Sequence, residues 1–64
     1  MRPLIEILED ERTLTQKLES IYRHLVRTED FELINILETK RQRVESDLTK
    51  TRNELKDYVE DLLR

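Results

Sequence analysis

The residues able to do chemistry are few in this chain, and their spacing decides what they could do. His24 is the only histidine. A metal site inside a helical bundle is usually built from Glu-x-x-His pairs on facing helices. Ile21 stands three residues before His24, so that pairing is absent. Thiolate ligands and disulfides are excluded, because the chain has no cysteine. Carboxylates cluster at Glu9, Asp10 and Glu11 and again at Asp57, Glu60 and Asp61. Both clusters read as solvated acidic faces rather than cation sites. Neither Ser20 nor Ser46 is expected to have a histidine placed to activate it. Without glycine there is no phosphate-cradling loop. The expectation is a chain without catalytic groups and without a cofactor or metal.

The elements that would carry these residues are helices. Glycine, alanine, cysteine and tryptophan are missing, Pro3 is the only proline, and charged residues make up 42% of the sequence. Leucine-rich, charge-rich sequences of this kind form long helices and coiled coils. Leu4, Ile7, Glu11, Leu14, Leu18, Ile21 and Leu25 follow one heptad frame, with Leu8, Tyr22 and Val26 widening its stripe. Ile34, Leu37, Arg41, Val44, Leu48, Thr51, Leu55, Tyr58 and Leu62 follow a second. The second frame is displaced by two residues from the first, and coiled coils absorb insertions of three or four, not two. A break between residues 26 and 31 is therefore expected, with an unbroken long helix as the rival reading. Thr28 is the expected N-cap of the second helix, with Glu29 and Asp30 in its first turn. Phe31 would then pack back on the end of the first helix. These signals place helix 1 at about 3–27 and helix 2 at about 29–63. The polar run from Glu9 to Thr13 reads as solvated, continuous helix.

Folding the second helix onto the first gives an all-α antiparallel hairpin, one coiled-coil-like domain over residues 1–64. A tight turn would set Ile21 against Leu37, Leu14 against Val44, Ile7 against Thr51 and Leu4 against Leu55. Glu11 and Arg41 would occupy core positions with opposite charge. They are expected either to pair between chains or to snorkel to the edge. Helix 2 would outrun helix 1 by roughly 15 Å. The overhang carries Tyr58, Val59, Leu62 and Leu63. With no disulfide or metal to staple a chain this small, oligomerisation is the remaining device. The expected self-association residues are Leu4, Ile7, Leu55, Tyr58, Val59, Leu62 and Leu63, in a homodimer that forms a four-helix bundle. Phe31 and Ile36, off the main arc of helix 2, either cap the hairpin core or contact another protein.

The function expected from this pattern is a small homo-oligomeric protein–protein interaction module, an adaptor, scaffold or regulator, whose further protein partner the sequence does not identify. The alternative is a nucleic-acid-binding regulator. In length and helix layout the expected hairpin is similar to the Rop-type hairpin dimers, and that resemblance implies binding to paired RNA loops. No sequence motif is shared with them, and the net charge of −3 argues against bulk nucleic-acid affinity. No apolar run approaches the ~20 residues needed to span a bilayer. The N-terminus lacks a signal-peptide core, so a cytoplasmic location is expected. A longer coiled-coil protein cut at Arg64 is a further reading.

Overall fold

The computed structural model describes residues 2–64. Two helices, α1 (Leu4–Arg27) and α2 (Phe31–Leu62), pack against each other, and no strand occurs among the described residues. Both helices follow the two displaced heptad stripes, because each stripe can leave water only by facing the other. The polar run at Glu9–Thr13 does not interrupt α1. The long dimension is 50 Å, against 15 and 14 Å across.

The helix ends are set by local chemistry. Pro3 stands just before α1, and its carbonyl accepts hydrogen bonds from the Glu6 and Ile7 amides at 3.1 and 3.2 Å. The turn corrects the expected capping. Thr28 closes α1, in extended conformation, and its amide donates to the His24 carbonyl at 3.0 Å. Asp30 caps α2 instead: its Oδ1 accepts from the Glu32 amide at 2.9 Å. The second helix consequently starts two residues later than the sequence reading had it. Phe31 becomes the first helical residue, not the third, and points outward, 81% exposed. The three-residue turn contains no glycine and needs none, because no described residue has a positive φ.

The core is thin. Ile7, Ile21 and Leu48 are its buried apolar residues, and Ile7 is 0% exposed. Thr51 is also buried, and its hydroxyl donates to the Asp47 carbonyl one turn back at 3.0 Å, so no polar group is stranded. Ile7 and Thr51 are thus both buried at the level where the tight-turn register sets them opposite. Leu4, Leu14, Leu18, Leu25, Ile34, Leu37, Val44 and Leu55 are half-buried. A lone two-helix hairpin covers each stripe on one side only, and these residues line the uncovered edges.

Candidate association surface

Two polar contacts tie the helices together across the core. At the open end the Arg2 guanidinium holds Glu54 in a fork, Nε to Oε2 at 2.9 Å and Nη2 to Oε1 at 2.8 Å. The same side chain also reaches Asp10, and Glu6 at 3.5 Å. Closer to the turn, the Tyr22 hydroxyl donates to Glu45 Oε1 at 2.8 Å. Neither contact was found by sequence reasoning. Arg2 precedes the helix, outside any heptad frame. In the heptad pattern Tyr22 only widens the apolar stripe.

Arg41 sits in a half-buried position and turns its guanidinium along its own helix. It donates to Glu38 at 3.0 and 2.7 Å and to Glu45 at 3.0 Å. Glu11 is half-buried and takes part in no ion pair among the described residues. Of the oppositely charged i,i+4 pairs Arg41–Glu45, Arg43–Asp47, Lys50–Glu54 and Lys56–Glu60 in the α2 sequence, only Arg41–Glu45 comes within ion-pair distance. The hydrogen bond from Tyr22, and then the Arg41 guanidinium, hold the Glu45 carboxyl below its ordinary range. Because the folded value is lowered, this carboxylate supports folding above the ordinary range, about 4.3. The support is lost as pH falls through the lowered value. The Glu45 carboxyl carbon shift should therefore titrate with a midpoint below that of an unstructured glutamate, and a midpoint at or above it would rule the contact out.

His24 is exposed, and its Nδ1 lies 2.7 Å from the Ser20 carbonyl oxygen. The one-turn spacing does bring Ser20 and His24 together, which the sequence reading overlooked. The ring engages the Ser20 backbone carbonyl and not its hydroxyl. Among the described residues no group of three or more His, Cys, Asp or Glu side chains is disposed to hold a metal ion. None of the helices is long and apolar enough to cross a membrane.

Apolar surface is what this hairpin presents instead. At the turn end Tyr22, Val26, Phe31, Leu33 and Ile36 are exposed, and at the open end Ile5, Leu8, Val59, Leu62 and Leu63. α2 is eight residues longer than α1, 32 against 24. At 1.5 Å per residue the excess is about 12 Å. It carries Leu62 and Leu63, which are 69% and 82% exposed, with Val59 partly covered and Tyr58 half-buried. Of the expected self-association residues, Ile7 belongs to the hairpin's own core, Leu4, Leu55 and Tyr58 to its edge, and Val59, Leu62 and Leu63 to its free surface.

The hairpin's two broad faces differ in charge. Tyr22 bonding to Glu45 fixes which flank of α1 lies beside which flank of α2. At about 100° per residue, Leu8, Arg12, Thr15, Glu19, Tyr22 and Val26 form one row of α1 on that face. The row beside it on α2 runs from Glu38, Arg41 and Glu45 to Arg52, Lys56, Val59 and Leu63. The opposite face holds a shallow groove lined by Lys17, Ser20, Ile21, Lys40, Arg43 and Val44. Comparison with protein-family models, curated proteins and solved structures gives no match.

Proposed function

We propose that the chain is a non-catalytic interaction module whose first partner is a second copy of itself, the two hairpins forming a four-helix bundle that serves as an adaptor, scaffold or regulator. The observation that carries this reading is the excess of exposed surface. A compact monomer of 7.9 kDa exposes about 4,400 Å², whereas this hairpin exposes 5331 Å². The difference, roughly 900 Å², is close to the ~800 Å² that each partner contributes to a standard interface. Ten large apolar side chains are exposed against three in the core, so the excess is of the kind that association removes. Light scattering tests the reading: a mass of two chains is expected at micromolar concentration, and a single-chain mass throughout overturns it. A further protein partner would act on the dimer, with exposed Ile36 as a contact for it.

A second reading, Rop-type binding of nucleic acid, is favoured by one observation. Lys17, Lys40 and Arg43 surround the groove on the second face, and none of them has an acidic partner within 4 Å among the described residues. Three such cations would give binding that weakens steeply with salt, with a logarithmic slope of about −3. A gel shift of a paired RNA loop at low salt, lost as salt rises, would support it. No shift at low salt ends it.

A further inference from the structure

We infer that the face carrying Tyr22 and Glu45 is the self-association face, and that the second copy lies on it antiparallel, its α2 overhang covering the exposed turn end of the first. This rests on the self-association proposed above and adds the face, the direction and the register.

Three observations converge. The first is charge. Near the turn this face carries Glu38 and Glu45 around Arg41, two carboxylates against one guanidinium, with Glu19, 3.9 Å from Arg23, on the neighbouring row. Towards the open end α2 carries Arg52 and Lys56 on this face, neither of which joins an ion pair among the described residues. The face is thus acidic at one end and basic at the other. Two copies laid turn to turn would oppose acid to acid, with Glu19 of one copy above Glu38 of the other. Two copies laid turn to open end set Lys56 beside Glu38, with Arg52 level with Arg41 between Glu38 and Glu45, twice by symmetry.

The second is length. A two-fold axis crossing α2 at its midpoint, beside Ser46 and Asp47, overlaps the two copies of this 32-residue helix completely. Each overhang then ends over the other copy's first α2 turn, with Leu62 and Leu63 above Phe31. In the turn-to-turn arrangement α1 stops short, and both overhangs stay without a partner.

The third is apolar complementarity. The exposed residues at the turn end, Val26 and Phe31, are 87% and 81% exposed, and they lie where the overhang of the second copy must pass. Apolar surface at both ends of one face, separated by charge of opposite sign, is self-complementary only when one copy is reversed.

Cysteine cross-linking tests this, because the chain has no cysteine of its own. Phe31→Cys and Leu63→Cys replace two exposed side chains outside the hairpin core. Mixed and mildly oxidised, the two variants are expected to give a disulfide-linked pair joining residue 31 to residue 63 at least tenfold more than either variant links to itself. Self-links at residue 31 that predominate over mixed links would establish the turn-to-turn arrangement and overturn the inference while leaving self-association standing. A dimer that forms neither link overturns the assigned face. A wild-type chain that is monomeric by mass overturns the underlying self-association as well. Charge exchange gives an independent reading: Lys56→Glu is expected to weaken the dimer about fivefold, and Glu38→Lys added to it should recover most of the loss. Two losses that simply add overturn the register.

Discussion

Replacing Ile7 by alanine is expected to cost about 2–4 kcal/mol and to lower the melting temperature by about 15 °C or more. Among the described residues Ile7 is the one side chain wholly removed from solvent, and Thr51 of α2 is buried as well. A 64-residue chain at ordinary stability per residue has only about 3–10 kcal/mol in all. With three buried apolar residues, the loss of one leaves little to hold the helices together. The neighbouring isoleucine is the internal comparison. Ile5 is 66% exposed, so Ile5→Ala should change stability by less than about 0.5 kcal/mol. Thermal unfolding followed by circular dichroism distinguishes the two. Equal losses at both positions would mean that α1 presents a different face to α2.

Converting Leu62 and Leu63 to glutamate should leave the hairpin folded and raise the dimer dissociation constant on the order of 10³-fold. Both side chains lie at the exposed end of α2, outside the core. The fold of a single copy therefore does not depend on them. In the proposed dimer each leucine is buried once per copy, at about 1.5 kcal/mol or more each, and a thousandfold change corresponds to about 4 kcal/mol. The new carboxylates would also lie near Glu29, Asp30 and Glu32 of the other turn, adding like-charge repulsion. The readout is mass by light scattering, with helicity by circular dichroism as the check on folding. An unchanged dimer would remove the overhang from the interface.

Much of the hairpin is legible in the sequence. The two-residue displacement between heptad frames requires a break, because a shift of two rotates the apolar stripe away from its partner and no coiled coil absorbs it. The absence of glycine does not prevent the turn, since extended residues at Thr28 and Asp30 reverse the chain with negative φ throughout. The burial of Ile7, Ile21, Leu48 and Thr51 follows from helical periodicity, which places them along the centre of each stripe.

The cap was not legible, and the reason is local. Thr28 and Asp30 are both good N-cap residues, and two positions apart either could open α2. The structure uses Asp30, whose Oδ1 holds the Glu32 amide, and leaves Thr28 to close α1. That two-residue change turned Phe31 from an expected cover over the helix end into an exposed side chain. The candidate surface divides in the same way. Periodicity alone determined that apolar stripes exist, that they are wide and that α2 outruns α1. Only the tertiary structure decided that Arg41 is held by Glu38 and Glu45, that Arg2 clasps Glu54 and that Tyr22 lies beside Glu45. Which flank of one helix borders which flank of the other depends on how two cylinders are rotated about their axes. A single helix's sequence specifies its own stripe, and the rotation that pairs two stripes is fixed only when both are packed.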